Sequence, residues 1–459
     1  MRRRLILFAQ AAHRPIRTTI AVMAAACLTL TGCAGAGSFG STGNTVTIAM
    51  VSNSQMTDAI KLSSRFAAAN PGIKLRFISL SENQARAKIT ASTAMGGGEF
   101  DVVMISNFET PQWAKDGWLV NLSDYAAKTP GYDQDDFIKS LRESLSYNGS
   151  MYSVPFYGES SFLMYRKDMF EKAGITLSAK PTWQEVAAAA EKLNSRDVAG
   201  ICLRGKPGWG EVLAPLDTVI NTFGGRWYDM GWQPQLTSPE SKKAVQFYVD
   251  TARKYGEPGA ATSGFQECAN QMGQGRVAMW YDATSAVSVL EDPKEYPDVA
   301  GKIGYAPAPI VEKDNSGWLY TWSLGIPTGA KNKDGAWKFI SWMTSKEYIR
   351  LVGETLGWER VPPGSRMSTY QIPEYKKVSE AYGPLTLQAI ENANPKKPTV
   401  QPVPYTGVQF LAIPEFQDLG TRVSQQISAA IAGQKSVDAA LDQAQQYADV
   451  VGATYRENK

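Results

Sequence analysis

Residues 45–105 read TVTIAMVSNSQMTDAIKLSSRFAAANPGIKLRFISLSENQARAKITASTAMGGGEFDVVMI, and this stretch decides the fold. Thr45 to Val51 is a β-rich apolar run. From Gln55 to Ala69 apolar residues return at helical spacing (Met56, Ile60, Leu62, Phe66), and Asn70-Pro71-Gly72 breaks the pattern. Ile73 to Leu80 reads as a second strand, Glu82 to Met95 as a helix ended by Gly96-Gly97-Gly98, and Asp101 to Ile105 as a third strand. Strand, helix, strand, helix, strand predicts a parallel sheet with right-handed crossovers, hence an α/β domain.

Outward from there the alternation resumes after Tyr152-Ser153-Val154-Pro155-Phe156. A strand is expected at Phe162 to Tyr165, a helix at Trp183 to Leu193 opened by Pro181-Thr182, and strands at Ile201 to Leu203 and Val277 to Trp280. The last 110 or so residues read as mostly helical, with interruptions at Pro362-Pro363 and Pro398 to Pro404. Two α/β lobes joined by extended segments are the economical reading of 459 residues. The tryptophans at helical spacing (Trp183, Trp337, Trp342) are expected in the core.

Toward the other end, residues 1–17 hold five arginines and no acid, and Thr18 to Leu30 is an apolar, alanine-rich run too short for a transmembrane helix. It ends in Leu30-Thr31-Gly32-Cys33, which resembles the lipobox of bacterial lipoproteins. That implies a signal peptide at 1–32, a lipidated Cys33 and a flexible Gly/Ser/Ala tether over 33–44. Arg3-Arg4 hints at a twin-arginine export route. Removing the five arginines leaves 42 basic against 44 acidic residues, a formal charge of −2, with no long basic run to serve as a nucleic-acid footprint. Of the four cysteines, Cys27 leaves with the signal and Cys33 takes the lipid. Cys202 and Cys268 then either close one disulfide or stand as two buried thiols.

The single histidine, His13, also leaves with the signal. The mature chain therefore has no imidazole for general base catalysis, and no Ser-His-Asp or Cys-His arrangement. A metal site has almost no ligands to draw on, and neither a metal nor a cofactor is expected. No P-loop, GxGxxG or serine elbow is present. A glycosidase would need two carboxylates about 5 to 9.5 Å apart, a pairing that 44 acids always permit on paper.

In open α/β sheets ligands bind outside the carboxyl ends of strands, and between facing lobes the cleft is the default site. The strand exits read Ser52-Asn53-Ser54, Ser81-Glu82-Asn83, Ser106-Asn107-Phe108, Glu159-Ser160-Ser161 and Arg204-Gly205-Lys206. Carboxylates, amides and guanidinium groups there suit an uncharged, hydroxyl-rich ligand, because a hydroxyl donates to the first and accepts from the others. Each position taken singly also suits a solvated cap or turn.

Leu62-Ser63-Ser64-Arg65-Phe66 through Asn70-Pro71-Gly72-Ile73, then the run from Pro155 to Gly174, with Pro181-Thr182-Trp183 and Gly275-Arg276-Val277-Ala278-Met279, resemble the family 1 extracellular solute-binding proteins of ABC importers. Phe156-Tyr157-Gly158-Glu159-Ser160-Ser161, Cys202 to Lys206 with Gly208-Trp209-Gly210-Glu211, Trp232 to Gln235, Val361 to Gly364 with Arg366, and Pro402 to Phe410 are similar to the sorbitol/mannitol-binding branch. The resemblance implies a two-lobe, type II-like periplasmic-binding-protein fold with hinge crossovers and a helical C-terminal part. It divides the chain into lobe 1 (45–158 plus 318–365) and lobe 2 (159–317 plus 366–459). It further implies a monomer that closes on a sugar alcohol (sorbitol, mannitol or a pentitol such as xylitol or arabitol) and presents it to ABC permease subunits and their ATPase. A mono- or disaccharide is the alternative ligand. Carried over position by position, Asn53, Glu82 and Asn107 are expected from the first lobe, and Glu159 just after the first crossover. Arg204, Trp209 and Glu211 are expected from the second lobe, Trp280, Asp282 and Trp322 on further walls, and Arg366 and Gln409 from the C-terminal part.

Overall fold

The computed structural model describes residues 44–315 and 317–457, so the signal, Cys33 and the tether lie outside the described residues. The opening pattern folds as β1 (Thr45–Val51), α1 (Ser54–Ala69), β2 (Lys74–Leu80), α2 (Glu82–Ala94) and β3 (Val102–Ser106). Asn53 starts α1 because its side-chain oxygen accepts from Met56 N at 2.9 Å, satisfying one of the free donors at a helix start. The face carrying Met56, Ala59, Leu62 and Phe66 then buries against the core. β1 lies between β2 and β3 and is parallel to both.

A hairpin of β4 (Ser146–Tyr147) and β5 (Ser150–Met151) turns through Asn148 and Gly149, with φ of 48° and 77°, the left-handed pair that a tight hairpin turn demands. β6 (Ser153–Glu159) and β7 (Ser161–Arg166) follow, separated only by Ser160 yet belonging to different sheets. β8 (Met279–Ala283), β9 (Ile303–Pro307) and β10 (Tyr320–Gly325) complete the strands. The first sheet has the order β2-β1-β3-β10-β6, with β10 inserted antiparallel between β3 and β6. The second has the order β8-β7-β9 with antiparallel pairing throughout. Parallel pairing between named strands is thus confined to the βαβαβ opening, where each crossover is a helix long enough to return the chain.

The strand expected at Ile201–Leu203 is a single parallel bridge, Cys202 to Trp280. Its neighbours bond elsewhere: Ile201 N donates to Tyr255 O and Gly205 N to Ser263 O. The strand expected at Val277–Trp280 begins at Met279 instead, since Val277 pairs only with Ala199. Thr182 and Glu185 form a reciprocal capping box that starts the helix Trp183–Leu193. The C-terminal helices Phe416–Ile431 and Val437–Glu457 pack on each other and on Pro239–Tyr255. Cys202 and Cys268 are joined by a disulfide, Cα to Cα 5.7 Å. Trp183 and Trp337 are buried core residues, and Trp342 is partly buried against Phe66, Phe339 and Tyr348. No helix among the described residues is long and apolar enough to cross a membrane.

Candidate functional site

Where the carboxyl ends of β1 and β2 face the β6–β7 junction and the segment 204–211, a cleft of about 390 Å³ opens. Its floor is the end of β6. Tyr157 accepts from Asn53 Nδ2 at 3.0 Å, so Asn53 caps α1 with its oxygen and holds the floor with its nitrogen. Glu159 is 5% exposed and accepts from Ser285 Oγ at 2.5 Å. Burial pushes its carboxyl up to about 8; the Ser285 hydrogen bond and the Arg204 charge oppose that rise, and Asp282 adds to it.

On one wall, α2 presents Glu82 and, one turn later, Arg86. Arg86 Nε and Nη2 both donate to Glu82 Oε1, at 3.1 and 2.9 Å. Nη2 also donates to Tyr320 OH at 2.7 Å and Nη1 to Glu109 Oε1 at 3.2 Å. On the opposite wall Arg204 forms a two-point pair with Asp282, Nε to Oδ2 at 2.7 Å and Nη2 to Oδ1 at 2.5 Å, and donates to Gly210 O at 3.0 Å. Burial works against the Arg204 charge, but the carboxylates of Asp282, Glu211 and Glu82 together outweigh it and raise the guanidinium above its ordinary value. Glu211 stands beside Arg204 and Lys206, at 3.6 and 3.5 Å. Its carboxyl is raised by burial first and by the facing Glu82 second. Gln409 closes one end. Its enclosed Oε1 has no hydrogen-bond partner among the described residues.

Asn53, Glu82, Glu159, Arg204, Glu211, Trp322 and Gln409 therefore line this cleft. Asp282 and Trp280 stand behind the wall, fully buried, with Trp280 Nε1 donating to Asp282 at 3.0 Å; they hold Arg204 rather than face the cavity. Trp209 has its face covered by the Arg86 guanidinium at 4.2 Å. Asn107 is turned to the start of β10, accepting from Thr321 N at 2.8 Å and donating to Leu319 O, and lines a different groove. Arg366 is fully buried away from the cleft and donates to the carbonyls of Thr344, Asp133 and Tyr132, a staple for that loop.

Lys206, read at a strand exit, also lines the wall, while residues not anticipated there include Arg86, Gln55, Tyr157, Ser285 and Tyr320. Arg86 had a visible signal, four residues after Glu82 on a helix. Ser285 had none, because it reaches Glu159 from 126 positions away. The described residues with metal-ligand spacing are Cys202, Glu257 and Cys268, and the disulfide leaves no thiolate there to coordinate an ion.

The signature of bacterial extracellular solute-binding proteins matches residues 51–349. The chain belongs to that family. This solute-binding protein is 42% identical to a mannitol-binding protein of Pseudomonas aeruginosa over 430 residues, 93% of this chain and 96% of that one. Among solved structures, it superposes with a TM-score of 0.87 on an ABC transporter solute-binding protein of Agrobacterium vitis S4 with bound D-mannitol, at 46% identity over 90% of this chain and 99% of the other. The ribitol complex from Agrobacterium radiobacter K84 gives 0.78 at 24% identity, over 89% of this chain and 99% of that one, which shows the shared fold. The solute-binding protein thus has the two-lobe, type II-like architecture. Its family acts outside the cytoplasm, where its members bind small solutes for ABC permeases.

Proposed function

We propose that this chain captures an acyclic sugar alcohol, a hexitol such as mannitol or sorbitol or a pentitol, between two lobes and hands it to its permease without chemical change. The observation that carries the reading is the wall itself: carboxyl groups of Glu82, Glu159 and Glu211, cations of Arg86, Arg204 and Lys206, and the unpartnered Gln409 Oε1 around one cavity. Each is a donor or acceptor for a hydroxyl, and no ionised ligand is needed to balance them. The likeness to the mannitol-binding protein supports the same ligand class.

In this reading lobe 1 comprises 45–158 plus 318–365 and lobe 2 comprises 159–317 plus 366–459. The protein acts as a monomer held to the membrane by a lipid on Cys33. Closure is a population shift: a ligand that touches both walls stabilises the closed form by the contacts it makes only there. A thermal-shift screen of hexitols, pentitols, aldoses and disaccharides tests it. A ligand at 100 times its dissociation constant should add about 2.7 kcal/mol, and a response confined to cyclic sugars overturns the polyol assignment.

A further inference from the structure

The segment Pro207–Gly210 meets the first turns of α2 across the cleft through protein atoms alone. Asn83 Nδ2 donates to Pro207 O at 3.1 Å. The Arg86 guanidinium lies 4.2 Å from the centre of the Trp209 ring and 4.9 Å from that of Trp322, so it is held between an indole from each side of the cleft. Trp209 also packs on Phe108, Phe410 and Phe416, at 4.9, 4.8 and 6.5 Å between ring centres. Both glycines of the segment fit closely. A Cβ built at Gly210 would meet Glu82 Oε1 at 2.7 Å and Arg86 Nε at 2.9 Å, and one at Gly208 would meet the Asn83 amide at 2.5 Å. Glu82 and Arg86 cannot retreat easily, since Arg86 is tied at once to Glu82, Glu109 and Tyr320.

We infer that Gly208-Trp209-Gly210 is a closure seat. Trp209 is a positioning residue that docks on Arg86 when the lobes meet, and through Arg86 it fixes Glu82, whose Oε2 is left free to accept from the ligand. Two facts support the role. A desolvated cation over an indole is a directional contact that exists only when the walls are together. The two glycines are the side-chain-free residues that let a backbone come against a buried ion pair. The seat rests on the solute-binding reading but not on which solute is bound, because every contact in it is between protein groups.

The test uses Gly210→Ala, which carries no left-handed backbone strain and acts by pressing its Cβ on the Glu82 and Arg86 side chains, with Trp209→Ala and Trp209→Phe beside it. The probe is whichever polyol or sugar gives the largest shift in the screen above. Titration calorimetry and small-angle X-ray scattering at saturating ligand are compared with wild type. Gly210→Ala and Trp209→Ala should bind roughly tenfold or more weakly, the scale of one desolvated cation–aromatic contact. Under saturation their radius of gyration should stay near the ligand-free value, and Trp209→Phe should recover part of both. A saturated Gly210→Ala protein that closes like wild type overturns the seat, because mere loss of affinity is overcome by saturation and loss of closure is not. If no ligand responds, the solute reading fails instead. The seat then falls with it, since it serves only a closure that a solute drives, whereas a saturated variant that closes normally sinks the seat alone.

Discussion

Glu159 shows how one side chain can serve a neutral ligand. Burial pushes its carboxyl up to about 8 from its ordinary 4.5, against the opposing hydrogen bond from Ser285. At neutral pH it therefore offers a proton as well as lone pairs to a hydroxyl. Between about pH 4.5 and 8 the folded chain keeps a proton that the unfolded chain has released. This group's contribution to stability is thus complete below pH 4.5 and is lost as pH rises through 8. Glu159→Gln, which copies the neutral acid, should flatten that fall in urea midpoints measured from pH 5 to pH 8 and keep most of the polyol affinity at pH 7. Glu159→Ala should lose about 1.5 to 3 kcal/mol of binding by calorimetry, as a buried partner is left unmatched. Parallel pH slopes for wild type and Glu159→Gln would show that another group is responsible. Glu159 was legible from its place after an apolar strand. Asn107 and Arg366 carry equally suitable polar groups, and nothing in a one-dimensional pattern distinguishes a group aimed at a cavity from one aimed at backbone carbonyls.

At the scale of elements, the first three strands and two helices could be read because their boundaries are local. Asn70-Pro71-Gly72 and Gly96-Gly97-Gly98 stop each helix whatever the rest of the chain does. β10 could not be placed in this way: its position between β3 and β6 depends on partners more than 150 residues earlier and on antiparallel pairing that no local pattern announces. The bridge segment at Cys202 is similar, since a disulfide stands where strand pairing was expected to hold it. That bond spans 66 positions, so its removal should cost about 4 kcal/mol in the loop-entropy account. Cys202→Ser combined with Cys268→Ser should show this as a lower guanidinium midpoint while polyol affinity at 25 °C is largely kept, because both sulfurs lie outside the cleft wall. Unchanged midpoints would mean that the unfolded chain is already constrained there.

At the scale of the whole molecule, the two sheets are also tied on the far side of α1. Arg360 pairs with Asp58 of α1 through Nε and Nη2, at 2.7 and 2.9 Å, and with Asp292, which follows the second sheet's β8, through Nη1 at 2.7 Å. Gln55 Nε2 donates to Ser288 Oγ at 2.8 Å nearby. Replacing Arg360 by Met leaves two buried carboxylates facing each other and should cost about 3 to 5 kcal/mol in urea unfolding. Adding Asp58→Asn and Asp292→Asn should recover most of it, and failure of that rescue would mean that packing by the Arg360 stem, not charge, supplies the effect. The β6–β7 join has a mechanical meaning as well. At this join the chain passes from one sheet to the other through the single residue Ser160, and Gly158 N just before it donates to Pro363 O at 3.2 Å. In the closure proposed above this join serves as the pivot, with Tyr157 and Glu159 in the strand that enters it and Pro207 and Asn83 meeting across the cleft. A solute resting on the floor travels little as the molecule closes. The few hydroxyl contacts it makes there are amplified into a large displacement of the outer rims, the surfaces farthest from the pivot and the most readily felt by whatever the protein meets next.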